Sequence, residues 1–190
     1  SSSGYGDPIQ KVLKFKDGEA IVESYGLKAT ENKQGDLLSG SSDIIRDGDT
    51  VLLVTRKGFG FAYTLDTLAQ TRKAGRKVIT LKDGDTLVTV CPLRKKITMF
   101  SEEGFALTID KKEVPVRGNP AVGVILLAVK PGDSLVTVLS YDKAGSFMID
   151  LASGKTKEVT ANSLTSGHRG LRGSKAIPQS GIKSVTLISK

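Results

Sequence analysis

The sequence predicts an all-β protein, and three observations support this prediction. Val, Ile and Thr recur in short runs of four to six residues that are bounded by Gly, Asp-Gly or Pro-Gly, which is the pattern of strands and tight turns. Glycine is abundant, at 21 of 190 residues. Long stretches with apolar side chains at helical spacing are missing. With 38% hydrophobic residues, the chain can form a packed core, and its length fits one domain.

A first type of segment occurs four times and consists of a short apolar strand, a turn that ends in Gly, and a second strand. Asp-Gly and Pro-Gly suit such turns because Gly accepts a positive φ, Asp can hydrogen-bond its own backbone and Pro presets φ. The last three turn glycines are 48 and 49 residues apart. The four copies are Val12–Ser24, Val78–Val90, Leu127–Leu139 and Ala176–Ile188, with glycines Gly18, Gly84, Gly132 and Gly181.

A second type of segment, also strand, polar turn and strand, alternates with the first. Its copies are Val51–Phe61, Ile97–Leu107 and Phe147–Lys157, and their turn glycines are 46 and 50 residues apart. The sequence therefore divides into units of about 48 residues at 51–95, 96–144 and 145–190. This period is typical of a four-stranded propeller blade, whose apolar faces stay exposed until neighbouring blades stack on them.

Residues 1–50 fit the repeat poorly and predict an irregular first blade with a long loop. We therefore expect a single domain over residues 1–190, built from three to four blades that need not close into a ring. A membrane-spanning segment is not expected, because no run of about 18 apolar residues occurs.

The positive charge lies in the repeats. Residues 1–50 have a formal charge of −3 and residues 51–190 of +11, with many cations in Gly-rich connections at corresponding places in the units. Such a recurring basic band suits a polyanion that itself repeats, and the low aromatic content, 5% without Trp, favours duplex over single-stranded nucleic acid. The predicted contact residues are Arg56, Lys57, Arg72, Lys73, Arg76, Lys77, Arg94, Lys95, Lys96, Lys111, Lys112, Arg117, Arg169, Arg172 and Lys175.

Four stretches resemble the C-terminal domain of the A subunit of the bacterial type IIA topoisomerases, DNA gyrase and topoisomerase IV. They are Gly58–Phe61, Gln70–Leu81, Met99–Gly104 and Lys155–Gly173, and they keep the order and spacing of that domain over about 51–190. The last stretch, which ends in Gly-His-Arg-Gly-Leu-Arg-Gly, is more similar to topoisomerase IV than to gyrase.

The resemblance implies a β-pinwheel, a propeller-like disc whose blades exchange strands and whose basic perimeter binds and bends duplex DNA during changes of DNA topology. It implies a non-catalytic fragment of an ATP-dependent topoisomerase in the bacterial cytoplasm, associated with the nucleoid. Its partners would be double-stranded DNA, the N-terminal catalytic part of the same polypeptide, and the ATPase subunit of the holoenzyme. ATP and Mg would serve only the intact enzyme, and no cofactor is expected in this domain.

Two alternative functions remain open from the sequence. Lys57–Tyr63 matches the aromatic core strand of an RNA recognition motif, in which Phe rings stack on single-stranded bases. A β-propeller that binds acidic protein partners would also use a basic surface. We expect neither metal binding nor catalysis, because Cys91 and His168 are the only soft ligands and lie far apart in the sequence.

Overall fold

The computed structural model describes residue 21 and residues 27–28, 45–46, 50–65 and 76–188. These residues form an all-β structure, which confirms the predicted fold class. Three-residue 3₁₀ turns follow β7 and β12. The strands are β1 (Leu27–Lys28), β2 (Ile45–Arg46), β3 (Thr50–Thr55), β4 (Phe59–Thr64), β5 (Leu87–Pro92), β6 (Lys96–Ser101), β7 (Phe105–Asp110), β8 (Val116–Arg117), β9 (Val124–Ile125), β10 (Leu135–Tyr141), β11 (Ser146–Leu151), β12 (Thr156–Thr160), β13 (Ser174–Lys175) and β14 (Ile182–Ile188).

Three sheets repeat one strand order, and we call them blades 1, 2 and 3. In each blade two strands form a hairpin, and a later strand returns to pair with the first strand of that hairpin. The orders are β5-β3-β4, β10-β6-β7 and β14-β11-β12. The hairpin glycines Gly58, Gly104 and Gly154 each donate their N–H to a carbonyl three residues earlier, at 2.9 to 3.0 Å. The predicted second type of segment is therefore confirmed in all three units.

Two of the four copies of the first type of segment, at Gly84 and Gly132, form the predicted turn. Val12–Ser24 lies outside the described residues apart from Ile21, and at Gly181 the predicted turn is wrong, because the Gly181 N–H donates to Glu102 instead. The turns are closed by Asp85 N–H to Lys82 O and by Asp133 N–H to Lys130 O, both at 3.0 Å. The strand after the first of these turns, β5, pairs with β3. The residues before that turn instead bridge through Ile79 to the next unit. Local turn chemistry fixes the chain reversal, whereas the pairing partner comes from a distant connection that a local pattern does not reveal.

The connections between hairpins complete the preceding blade. β8 and β9, which follow the hairpin of blade 2, pair with β4 of blade 1, and β13, which follows the hairpin of blade 3, pairs with β7 of blade 2. The close approach requires glycine: a Cβ on Gly123, whose φ is +86°, would lie 2.7 Å from the carbonyl oxygen of Gly60. The blades therefore exchange strands, as the resemblance implies, so the fourth strand of a blade comes from the following unit.

The core lies between consecutive blades. Leu52 and Val54 of blade 1 pack in one buried cluster with Ile97 and Met99 of blade 2. A second cluster joins blade 2 to blade 3, where the rings of Phe100 and Phe147 meet edge to face at 5.4 Å between centroids. Because each blade buries its face on its neighbour, a single unit would leave this apolar surface in water.

The strand order gives each blade two edges and two ends. The returning strand β10 contacts both β5 and β14, so the returning strands lie together along the inner edge, and the exchanged strands form the outer edge. We call the end with the hairpin glycines the turn end and the opposite end the base end. A six-residue strand such as β6 separates the two ends by about 20 Å.

The N-terminal 50 residues contribute little to the described structure. β1 and β2 pair in parallel, and the remaining residues of the predicted irregular blade lie almost entirely outside the described ranges. The division into units at 51–95, 96–144 and 145–190 stays a prediction. None of the helical segments among the described residues has the length and apolar character that crossing a bilayer requires.

Candidate nucleic-acid interface

The structure describes all of the predicted contact residues except Arg72 and Lys73, which lie outside the described ranges. Ten of them are exposed, and Arg94, Lys96 and Arg172 are half-buried. They do not form one continuous band at one level of the disc. One group lies at the turn end and another at the base end, because corresponding elements of the repeat carry cations at different positions along the strand direction.

The base end of blade 2 concentrates the most charge. Arg94 and Lys95 precede β6, Lys96 begins it, and Lys111 and Lys112 form the 3₁₀ turn after β7. We call these five residues the basic cluster. The backbone N–H of Lys111 donates to the carbonyl of Lys95 at 3.0 Å, which holds the two halves of the cluster side by side.

One carboxylate organises the basic cluster. Asp110 Oδ1 accepts the backbone N–H of Lys112 at 3.0 Å, and Asp110 Oδ2 lies 3.5 Å from Lys96 Nζ. The Lys112 N–H, followed by the charge of Lys96, holds the pKa of Asp110 below its usual value. Asp110 is therefore ionised at neutral pH and caps the turn that presents Lys111 and Lys112 to solvent.

The outer edge carries a cation on two of its three described exchanged strands, β8 and β13. Arg117 of β8 lies beside Tyr63 of blade 1, and Lys175 of β13 lies beside Phe105 of blade 2. Both exchanged strands are exposed. The two cations do not occupy equivalent positions, because β8 pairs in parallel and β13 antiparallel, and the register equivalent of Lys175 in blade 1 is Ile125 of β9. That corresponding elements present cations at the perimeter stays a prediction.

The turn end mixes cations, carboxylates and aromatic rings. Lys82 Nζ lies 3.9 Å from the centroid of Phe59, and the Arg172 guanidinium carbon lies 3.5 Å from that of Phe105. Glu103 pairs with Arg172 at 2.8 Å between Oε2 and Nη2. The Arg172 charge is therefore partly neutralised by its own chain.

Several cations at this end contact other parts of the protein. Lys57 Nζ donates to the carbonyl of Asp83 at 2.5 Å, and Lys175 Nζ donates to that of Glu103 at 2.6 Å. Arg56 Nη2 donates to Ser134 Oγ at 3.2 Å and lies 3.8 Å from a carboxylate oxygen of Glu102. Arg56 thus joins blade 1 to blade 2 as well as offering a charge to solvent.

Sequence reasoning missed Lys82 as a member of the turn-end group. A signal was present, because Lys82 and Lys130 each stand two residues before a turn glycine, at the same position of the repeat. A single lysine within a turn segment is ordinarily solvated surface, so the recurrence of the position is the only feature that distinguishes these two.

The aromatic strand of the RNA alternative is not free to stack on bases. Phe61 and Tyr63 are fully buried, in a cluster with Val51 and Leu53. Phe59 is half-buried, with Lys82 over its ring. Because base stacking requires open ring faces, this strand does not support binding of single-stranded RNA.

The described residues contain no group of three or more His, Cys, Asp and Glu side chains placed to hold a metal ion. Cys91 is a half-buried residue of β5. His168 is exposed, and its Nδ1 lies 3.0 Å from Glu113 Oε1.

The sequence is similar to the C-terminal parts of known topoisomerase A subunits. The family model of the DNA gyrase C-terminal domain, a β-propeller, matches residues 49–90 and 95–142. The A subunit of DNA topoisomerase 4 from Streptococcus pyogenes is 26% identical over 174 residues, which are 87% of this chain and 21% of that protein. The A subunit of DNA gyrase from Lawsonia intracellularis is 32% identical over 95 residues, which are 49% of this chain and 12% of that protein. The chain thus spans about a fifth or less of these relatives.

A solved structure shares the fold over nearly the whole chain. The crystal structure of the C-terminal domain of DNA topoisomerase IV matches with a TM-score of 0.78 and 20% identity, covering 97% of this chain and 55% of that one. At this identity the likeness shows the fold.

Proposed function

Because this chain belongs to the family of C-terminal domains of the A subunits of DNA gyrase and topoisomerase IV, we propose that it binds duplex DNA without regard to base sequence and curves it along the outer edge and base end of its blades. The support for this proposal is the position of the exposed cations: Arg117 and Lys175 lie on exchanged strands of consecutive blades, and the basic cluster lies at the base end of blade 2.

The proposed contacts are to phosphates. Lys and Arg that neutralise phosphates release condensed counterions, so the logarithm of the binding constant falls linearly with the logarithm of the salt concentration. Each contact contributes about −0.9 to that slope on duplex DNA. Such contacts position the duplex and carry no base preference, which fits the absence of an exposed helix or aromatic strand for base reading in the described part of the chain.

The internal ion pairs divide the cations into two kinds. Lys96, Arg56 and Arg172 each face a carboxylate of this chain, and a phosphate must compete with it. Lys111 and Lys112 of the basic cluster and Arg117 of β8 are exposed and form no ion pair with a described residue. We therefore assign the larger share of phosphate binding to the base end and outer edge.

Curving the duplex requires several contacts at once. Bending 20 to 30 base pairs through 40 to 90° costs on the order of 1 to 6 kcal/mol, which contacts spread over two or three blades can offset. A single blade would bind without bending, because its cations span too short an arc.

The experiment is a binding titration in a series of salt concentrations, with duplex and single-stranded probes of unrelated sequences. Reversing three charges of the basic cluster, Lys95→Glu, Lys111→Glu and Lys112→Glu, should weaken duplex binding about equally for every sequence and make the salt slope shallower. Lys155→Glu, a reversal at the hairpin turn of blade 3, serves as the matched control. Curvature is tested by closing a nicked plasmid with the protein bound, which should change the linking number.

Three results would count against the proposal. Preference for single strands would favour the RNA alternative, and indifference to both probes would favour a protein-binding scaffold. An unchanged linking number with intact duplex binding would remove bending from the function while retaining binding.

The same family membership supports a wider proposal for the whole protein. We propose that this chain acts with the catalytic part of the A-type polypeptide, together with a separate ATPase subunit. In this role it is a non-catalytic part of an ATP-dependent type IIA topoisomerase in the bacterial cytoplasm, at the nucleoid. ATP and Mg would be bound elsewhere in that enzyme. In this arrangement the domain presents DNA to the parts of the enzyme that cleave and pass it.

A further inference from the structure

Exposed apolar side chains gather on the exchanged segments. Val116 of β8 is 53% exposed and Ile125 of β9 is 44% exposed, and both strands lie on the outer edge of blade 1. Leu171 is 50% exposed in the connection that leads to β13. We call residues 166–173 the rim loop. Single exposed hydrophobic residues are ordinary, but three on the surface proposed to face DNA call for a physical account.

The rim loop holds Leu171 in a fixed position. The N–H of Gly170 donates to the carbonyl of Leu126 at 3.0 Å, and the carbonyl of Leu171 accepts the N–H of Ala128 at 2.9 Å. These bonds tie the loop to the bend that follows β9, next to Ile125. The Leu171 side chain leans over Gly167, where an added Cβ would lie 3.1 Å from Leu171 Cδ1. One side of the leucine therefore rests on the protein and the other faces solvent.

Charged groups flank this leucine on both sides. Arg169 is exposed, and Arg172 is stacked on Phe105 and paired with Glu103. Glu113 accepts the N–H of Arg169 at 3.3 Å and bonds the ring of His168 at 3.0 Å, so this carboxylate fastens the loop to the 3₁₀ turn of the basic cluster. The loop thus presents an apolar tip between arginines and beside lysines, a surface that suits a polyanion whose base steps an apolar side chain can contact.

We propose that Leu171 enters the minor groove of bound duplex DNA as an apolar wedge at the junction of blades 1 and 2. This inference rests on the proposed DNA binding. Proteins that bend DNA from the minor groove place apolar side chains against a base step and hold the flanking phosphates with cations. The wedge opens the step on the minor-groove side and directs the bend toward the major groove.

The wedge predicts a weak preference that phosphate contacts alone do not. Pyrimidine–purine steps such as TA and CA unstack most readily, so the bound duplex should settle with such a step at Leu171. Binding as a whole would stay tolerant of sequence, because the phosphates provide most of the affinity. The base sequence should therefore affect where along the DNA the bend forms, and it should have little effect on the binding affinity.

The experiment uses the full chain and a 30-base-pair duplex with a central TA step. Donor and acceptor dyes at its two ends report bending, and 2-aminopurine at the step reports unstacking by increased fluorescence. The variants are Leu171→Ala, Leu171→Met and, as a matched control, Leu81→Ala, whose leucine is 42% exposed in the segment before the Gly84 turn. Strand content by circular dichroism and thermal unfolding confirm that each variant is folded.

The wild type and Leu171→Met should raise energy transfer and 2-aminopurine fluorescence, and Leu81→Ala should match them. Leu171→Ala should lose most of both signals while its salt slope stays unchanged, because no phosphate contact is removed. Full bending and unstacking by Leu171→Ala would overturn the wedge. A wild type that fails to bind the duplex would overturn the proposed function itself, and a wild type that binds and bends without raising the 2-aminopurine signal would overturn the wedge alone.

Discussion

The hairpin turns of blades 1 and 2 are built in the same way and carry opposite charges. We call the turn glycine and the aspartate that accepts the turn N–H the frame; they are Gly58 and Asp85 in blade 1, and Gly104 and Asp133 in blade 2. In blade 1 the turn is Arg56-Lys57-Gly58, and the N–H of Lys57 donates to Asp85 Oδ1 at 3.0 Å. In blade 2 the turn is Glu102-Glu103-Gly104, and the N–H of Glu103 donates to Asp133 Oδ1, also at 3.0 Å. The aspartate and the glycine are retained where the two charged residues differ.

This difference separates what builds the repeat from what gives it a function. The aspartate satisfies backbone donors and the glycine makes the tight turn, so both are set by the fold. The two residues before the glycine are exposed or half-buried, so their charge can differ between the blades. Variants of the shared frame should therefore change stability, and variants of the free positions should change binding.

The largest effect should come from the frame glycine. Gly58 has a φ of +82°, and an added Cβ would lie 2.1 Å from the carbonyl oxygen of Leu127. We expect Gly58→Ala to lower the free energy of unfolding by about 3 kcal/mol or more, measured by urea denaturation, because strain and a backbone clash add. Gly132→Ala is the matched control, since its φ is +88° but nothing lies within 4 Å of the added Cβ. Its cost should be only the strain, about 1 kcal/mol. Equal losses in the two variants would show that the close contact with Leu127 does not add to the cost.

The frame aspartates should follow, with unequal effects. Asp85 Oδ1 accepts the N–H groups of Lys57 and Thr86, and the residue is 7% exposed. Asp133 makes the equivalent two bonds but is half-buried. Asp85→Ala should lower the free energy of unfolding by about 2 kcal/mol, because two donors lose their partner away from water. Asp133→Ala should cost about half as much, since water can replace the lost oxygen. Thermal unfolding compares the two variants, and a larger loss for Asp133→Ala would contradict the comparison.

The frame was the part of the fold that sequence could predict. Turn glycines and the Asp-Gly and Pro-Gly pairs recur at a fixed period because each position has its own backbone requirement, and this period predicted the hairpins and the blade. Pairing of Ile79 with Ala121 and of β13 with β7 could not be predicted, because these contacts join distant segments whose local sequences show only short polar, Gly-rich connections.

The candidate site was predictable to a lesser degree. Lysines and arginines in the connections were recognisable as a recurring set, but their partners were not. Glu103 neutralises Arg172, and Asp110 organises the basic cluster, through contacts that depend on strand exchange and on register. The separation of the cations into a turn end and a base end likewise depends on the direction of each strand, which charge counts along the sequence do not contain.

The free positions of the two turns should affect DNA binding in opposite directions. Lys57→Glu should weaken duplex binding and Glu103→Lys should strengthen it, each by about three- to tenfold at low salt, with smaller effects as salt rises. Glu103→Lys also releases Arg172 from its carboxylate. Fluorescence anisotropy with a labelled duplex measures both variants, and unfolding free energies should stay close to that of the wild type. Changes of the same sign in both variants would show that the turn end does not face DNA.

The smallest effect concerns pH. It tests whether Glu113, which bonds His168 and Arg169 of the rim loop, contributes to the stability of the fold. The hydrogen bond from His168, followed by the N–H of Arg169, lowers the pKa of Glu113 below its ordinary value of 4.5. A carboxyl group with a lowered pKa in the folded state stabilises the fold above its ordinary pKa, and that contribution is lost as pH falls through the lowered value. Between pH 7 and pH 3 the wild type should therefore lose more thermal stability than Glu113→Gln. Asp110→Asn is the matched control, because the pKa of Asp110 is also lowered but by contacts within its own hairpin. If Glu113 fastens the loop, Glu113→Gln should in addition weaken the bending of DNA at neutral pH, because the carboxylate that accepts from His168 and from the Arg169 N–H is lost.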